Sequence, residues 1–275
     1  MDDKTKIHDE VAGFYARAVS GGAGCCAQVD DRGGAEFAGY PAADTAGLPG
    51  DAVANSFGCG NPVAFSGVRE GDVVVDLGSG AGIDVIIAAR KVGPKGRVIG
   101  VDMTGAMIER ARANIAEAGL TNAEIREGLI EALPIDDASV DWVISNCVIN
   151  LSPDKPAVFA EIARVLKAGG QMLVSDMVVE DLPAWVRQNK ALYSACVAGA
   201  VSEANYVAGL EAAGLTGVEV RDRLVYDSAQ VEAIYRDEAA GQGPGDEGPV
   251  DETIARAAKE ATGKVSSISV YARKP

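Results

Sequence analysis

Val73-Val74-Val75-Asp76-Leu77-Gly78-Ser79-Gly80-Ala81-Gly82 reads as a buried strand that runs straight into a glycine-rich turn, with the apolar stretch 83 to 92 opening as a helix behind it. Consecutive β-branched residues suit a strand covered on both faces, as in a parallel sheet. Glycines at the turn let a ligand approach the backbone closely. Working outward, apolar runs alternate with helical patterns: 83 to 92, Val98 to Val101, 105 to 118, Val140 to Ser145, then Met172 to Val174. That is the βαβ rhythm of an open, mostly parallel sheet.

The glycine spacing narrows the ligand. In dinucleotide-binding turns the third glycine follows the second by three positions, whereas here position 83 is Ile and the pattern is Gly78-x-Gly80-x-Gly82. This favours S-adenosylmethionine (SAM), which has no pyrophosphate to place on the helix N-terminus, over a nicotinamide cofactor. Asp76 at the strand end is suited to the cationic amine of the methionine moiety. Asp102 closes the second strand 20 residues beyond Gly82, where a carboxylate grips both ribose hydroxyls. Met103 then covers the adenine face, with Ser79 in the turn and Gly128, Ile130 and Glu131 at the end of the third strand. A glycine-rich turn by itself is only a tight connection; the acidic residue at this distance turns it into a nucleoside site.

The chain has 275 residues, 48% hydrophobic and 24% charged, enough for one sizeable core with appendages. A formal charge of -15 repels phosphate backbones and anionic lipid surfaces, so neither nucleic acid nor a membrane is expected as partner. The first residues carry no basic leader, and no run of about 18 apolar residues follows, so a cytoplasmic location is expected. Residues 3 to 19 have helical periodicity, and 20 to 50 read as a loop. Helices are expected at 184 to 198 and 203 to 213, strands at 218 to 225 and 266 to 272 forming an antiparallel edge, and a flexible excursion at 237 to 249. The expected organisation is a lid over residues 1 to 67, a SAM-binding α/β core over 68 to 180, and C-terminal helices and edge strands over 181 to 275. The only histidine, His8, is expected at the surface, as neither base nor ligand.

Five cysteines, at 25, 26, 59, 147 and 196, are an odd number spread along the chain, which argues against a disulfide framework. Cys147 ends the strand Val140 to Asn146, at the carboxyl edge of the sheet where open α/β folds bind ligands. Asn146 beside it belongs to the cofactor side of that edge. Cys59 sits between glycines in Phe57-Gly58-Cys59-Gly60-Asn61-Pro62, and Cys196 lies beyond the fifth strand. The run Ser145-Asn146-Cys147-Val148-Ile149-Asn150-Leu151-Ser152-Pro153-Asp154-Lys155 resembles a signature of the arsenite methyltransferases. The resemblance continues through Phe57 to Pro62, Asp76 to Gly80, Gly100 to Thr104, Arg164 to Lys167 and Cys196 to Ala200, over roughly residues 10 to 215.

The resemblance implies a class I SAM-dependent methyltransferase fold, a Rossmann-like α/β architecture with a mostly parallel seven-stranded sheet, an N-terminal helical and loop lid and a C-terminal appendage. It implies methyl transfer to trivalent arsenic held by Cys59, Cys147 and Cys196, soft thiolates for a soft centre. Cys25 or Cys26 would take part in redox steps or relay arsenic inward, and a disulfide between Cys59 and one of them is a plausible intermediate. The arsenic lone pair is the nucleophile, so neither a general base nor a metal cofactor is needed. Thioredoxin or glutathione would serve as thiol reductant. Two features depart from the family: no cysteine follows Cys196, and Phe57 stands where a Tyr is frequent, with Tyr15 a candidate aromatic partner instead. Competing readings are a class I methyltransferase for a small organic ring, antimonite as acceptor, and a thiol-based metalloid-binding protein without a use for SAM.

Overall fold

Seven strands form one sheet in the order β3-β2-β1-β4-β5-β7-β6. They are β1 (Val73–Leu77), β2 (Arg97–Asp102), β3 (Ala123–Glu127), β4 (Val140–Asn146), β5 (Leu166–Val179), β6 (Thr216–Val225) and β7 (Val265–Arg273). The first five run parallel; β7 is antiparallel to both β5 and β6. The computed structural model describes residues 3–21, 40, 45–55, 67–181, 184–187, 199–233 and 251–275. Cys25, Cys26, Phe57, Cys59, Cys196, the 237 to 249 stretch and most of the expected helix 184 to 198 lie outside the described residues.

The period-two alternation of the strands divides the core into two layers. Val75, Leu77, Ile99, Val101, Val143, Met172 and Val174 point to one face, where they meet Val158, Phe159 and Ile162 of helix Lys155–Val165 and Tyr206 and Leu210 of helix Glu203–Ala212. Val74, Val98, Trp142, Ile144 and Leu173 point to the other, against helices Ile83–Val92 and Gly105–Glu117. Each such side chain, fully buried, contributes about 1.5–3 kcal/mol. The helices on the first face start where the sequence supplies caps: Asp154 accepts from the Ala157 N–H at 3.2 Å, and Ser202 from the Asn205 N–H at 3.3 Å.

The carboxyl ends of the strands are roofed by two helices, Asp3–Gly21 and Asp251–Ala261. The second was not expected from the sequence, although Ile254, Ala257, Ala258 and Ala261 are buried at i, i+3, i+4 and i+7. They pack in one cluster with Val11 of the first helix and with Cys147, Leu151, Met177 and Val179 of the sheet edge. Arg110 anchors the first helix from below, donating to the Val19 carbonyl at 2.8 Å and to Asp51 at 2.6 Å. No helix among the described residues is long and apolar enough to cross a membrane.

The two C-terminal strands pair with each other as expected, but only β6 is an edge. β7 inserts between β5 and β6, matching Gln171 through Val179 of β5 residue for residue. This is why β5 extends over Leu166–Val179 rather than stopping at Val174: its second half is held by β7 after β4 has ended.

Candidate active site

The turn after β1 takes its shape from backbone hydrogen bonds that only a short-side-chain sequence permits. Gly78 and Ser79 N–H groups donate to the Val101 carbonyl at 2.8 and 3.1 Å, and the Gly82 N–H returns to the Ser79 carbonyl at 2.9 Å. Gly78 has φ +65°, and a Cβ there would stand 2.3 Å from Val148 Cγ2, so the turn and the segment after β4 touch through the missing side chain. Gly80 has φ +52° and nothing within 4 Å of such a Cβ. That leaves an open cradle. Asn114 braces the turn, donating to the Ala81 carbonyl at 2.9 Å.

Asp102 ends β2 with one oxygen accepting from the Gly80 N–H at 2.9 Å and the other from the Thr104 N–H at 2.8 Å. These bonds fix the carboxylate and leave acceptor capacity on both oxygens, although burial is the largest influence and raises its pKa. The cavity that opens here is lined by Asp76, Gly78, Ser79, Gly80, Asp102, Met103, Ile130, Glu131, Asn146 and Cys147, ten of the residues expected at the site from the sequence, together with Gly128 and Tyr15. Gly82 supports the turn without lining the cavity; its φ of +91° is one that side chains rarely adopt, and a Cβ there would stand 3.2 Å from the Ala111 side chain.

His8 corrects the reading that placed it at the surface. Its side chain is 19% exposed, its Nε2 lies 3.0 Å from Glu131 Oε1, and it lines the cavity. Ser152 donates to the same carboxylate oxygen, and Lys4 pairs with Asp154 at 2.7 Å. The N-terminal helix is thus fastened across the cavity by polar contacts, at the residue assigned to the adenine end.

Cys147 follows β4 at φ +57°, an uncommon conformation for a residue with a side chain. Its N–H donates to the Ser175 carbonyl at 2.8 Å, its side chain is buried, and it is disulfide-bonded. Three residues on, Asn150 donates to Asp176 at 2.7 Å and to the Met177 carbonyl at 2.6 Å, pinning the turn that carries Cys147 to β5.

Sequence reasoning missed Asp84, Tyr40 and the Asn150–Asp176 pair. Asp84 lies in the first turn of helix Ile83–Val92 and lines the cavity; the Tyr40 hydroxyl donates to its Oδ2 at 2.7 Å. Asn146 donates to that hydroxyl at 2.9 Å and lies 3.4 Å from the same carboxylate oxygen. A signal was present: Asp84 is the one polar residue in Ile83-Asp84-Val85-Ile86-Ile87-Ala88-Ala89, an otherwise apolar helix face. Burial pushes the Asp84 carboxyl up to about 6, and burial together with repulsion from Asp84 and Asp102 holds Asp76 well above the ordinary range. Ser79 Oγ and Asp84 Oδ1 are buried without a hydrogen-bond partner. Two buried carboxylates and a third partly buried, two orphaned polar atoms, an open glycine cradle and an apolar wall suit a cationic nucleoside with polar and apolar ends. SAM fits that description.

Fold and cavity together define a class I SAM-dependent methyltransferase, and a model of the methyltransferase domain matches residues 69–216. Arsenite methyltransferase of Halobacterium salinarum is 46% identical over 203 residues, 74% of this chain and 52% of the relative; the human arsenite methyltransferase is 39% identical over 155 residues, 53% and 41%. The crystal structure of an arsenic(III) S-adenosylmethionine methyltransferase from Chlamydomonas reinhardtii superposes with a TM-score of 0.67 at 34% identity, covering 83% of this chain and 71% of that one. This chain belongs to the arsenite methyltransferase family. It spans about half the length of the curated relatives it matches.

Proposed function

We propose that the protein methylates trivalent arsenic, with arsenite or a methylated arsenite held by the thiolates of Cys59, Cys147 and Cys196. The observation that carries this reading is that Cys147 lines the same cavity as the glycine turn and Asp102. Bound SAM supplies an electrophilic sulfonium methyl group there. The Gly78 to Gly82 backbone and Asp76 would hold its amino-acid end, Asp102 its ribose, and Met103, Ile130 and Glu131 its adenine. Asn146 spans the two sites, since it lines the cavity and precedes Cys147 in the chain.

The chain's own work is positioning. The Ser175 carbonyl and the Asn150 turn hold Cys147 at one orientation, and Val11, Val148 and Leu151 form an apolar wall that keeps water from the reacting centre. The arsenic lone pair needs no proton removed, so this mechanism calls for no general base. Cys147 acts as a ligand only as a thiolate, so its disulfide must first be reduced. Thioredoxin or glutathione would do so, with Cys25 or Cys26 as relay, in the reducing setting of the cytoplasm. Product analysis by arsenic-specific detection, after incubation with SAM, arsenite and a thiol reductant, tests this. Methylated arsenic is expected from the wild type and none from Cys147→Ser, which keeps its affinity for SAM; undiminished methylation by that variant would sink the trithiolate model.

A further inference from the structure

We infer that Trp185, clasped by Glu260 and Arg256, is a positioning residue for the acceptor: it holds helix Asp251–Ala261 closed on the apolar cluster that contains Cys147, and so sets how tightly the arsenical is kept. This rests on Cys147 being an arsenic ligand. It draws on a helix that lies beyond residues 10 to 215, over which the family resemblance runs.

Cys147 belongs to two neighbourhoods. It lines the cavity that Asp102 and the glycine turn share. It also packs in one apolar cluster with Met177 at the end of β5 and with Ile254, Ala257, Ala258 and Ala261 of the helix. None of those four helix residues lines the cofactor cavity, and neither does Trp185. The helix can therefore act on the acceptor side of Cys147 without acting on the nucleoside.

The apolar grip of this helix is small. Its described buried residues are one isoleucine and three alanines, and each alanine buries a single methyl group, worth about one methylene. A helix held so lightly needs a further fastening. Trp185, in the short helix Ala184–Arg187, is partly buried against the same cluster and supplies it. Trp185 Nε1 donates to Glu260 Oε2 at 3.0 Å, Arg256 Nε donates to Glu260 Oε1 at 2.9 Å, and the Arg256 guanidinium lies 4.7 Å from the centre of the Trp185 ring. The three side chains close one circuit, in which Glu260 uses both oxygens. The hydrogen bond from Arg256, then that from Trp185, holds the Glu260 carboxyl below its ordinary value.

The Arg256 and Glu260 side chains are 66% and 35% exposed, so the clasp stands partly in water, where each such contact is weak and reversible. Together they shift a closed-to-open balance by about tenfold without locking it. That strength suits a roof that must admit a metalloid and then exclude water while the methyl group is transferred.

The test uses Trp185→Phe, which keeps an aromatic ring and loses the Nε1–H donor, and Glu260→Gln, which keeps the shape and loses the charge. Steady-state methylation of arsenite is measured under a thiol reductant, with SAM affinity by calorimetry. Both variants are expected to raise the KM for arsenite about three- to tenfold while kcat and SAM affinity stay within about twofold, the pattern of weakened acceptor holding. The double variant should be no worse than the more affected single one, because both changes open the same circuit. The chain has two tryptophans, and Trp142 is buried in the opposite layer of the core. Arsenite added to reduced protein with S-adenosylhomocysteine should therefore change the emission of the wild type and not that of Trp185→Phe. An unchanged KM in both variants, or kcat and SAM affinity falling in parallel as a general loosening of the fold would make them, would overturn the clasp and leave arsenic methylation standing. So would an emission change that is missing from the wild type or survives in Trp185→Phe. No methylated arsenic from the wild type would overturn the arsenic reading, and this inference with it.

Discussion

Asp176 offers the sharpest quantitative check on the structure. It is completely buried on β5, accepting from Asn150 at 2.7 Å, from the Met177 N–H at 2.9 Å and from the Tyr206 hydroxyl at 3.3 Å. Burial is the largest influence and pushes its carboxyl up from 3.8 to about 7, against the opposing pull of these donors and of Lys155. An acid whose folded value lies above its unfolded one favours the folded chain while protonated. That stabilisation is complete below about pH 4 and is lost as pH rises through about 7. The interval corresponds to about 4 kcal/mol. Asp176→Asn preserves the shape and the contacts, its oxygen accepting from Asn150 and Met177 and its amide donating to the Tyr206 oxygen, and it removes the titration. Melting curves of both proteins from pH 4.5 to 8.5 should therefore diverge, with the variant gaining on the wild type as pH rises by an amount of order 10 °C in melting temperature. Other buried acids, Asp76 and Asp84 among them, titrate in both proteins and cancel in the difference. Parallel curves across the range would refute the claim that Asp176 is held as a buried acid.

Gly78→Ala should cost SAM affinity more than tenfold and destabilise the fold by about 1–3 kcal/mol, because the new Cβ at φ +65° would overlap Val148; wild-type affinity by calorimetry would contradict the close approach. His8→Ala removes the contact with Glu131 that fastens the N-terminal helix over the cavity, so SAM release should quicken about 2- to 10-fold in stopped-flow measurements. An unchanged release rate would mean that the helix does not gate the cavity.

The parts legible in the sequence are those written in short-range pattern. Valine runs gave the buried strands, the Gly78-x-Gly80-x-Gly82 spacing gave the turn, and the distance to Asp102 gave the second strand end. The position of Cys147 followed from the strand before it. What stayed hidden depends on residues far apart in the chain: Tyr40 with Asp84, His8 with Glu131, Asn150 with Asp176 and Tyr206. No local periodicity encodes such pairs. His8 was misread for this reason, since an amphipathic helix announces which residues are polar but not which polar residue meets a partner. The helix Asp251–Ala261 was overlooked behind a glycine- and proline-rich stretch, despite its spaced apolar residues. The roles of Cys25, Cys26, Cys59 and Cys196 remain with the family resemblance.

The insertion of β7 between β5 and β6 has a consequence for biosynthesis. A ribosome delivers β5 about 85 residues before it delivers β7, which pairs with the edge that β4 leaves open. During that interval the growing chain carries an open row of amide and carbonyl groups beside Leu173, Val174 and Val178, all apolar and destined for burial. Such an edge is a template for pairing with another nascent chain. Slow translation through the intervening stretch would lengthen that exposure, and the protein's yield in a cell would then depend on how quickly β7 arrives.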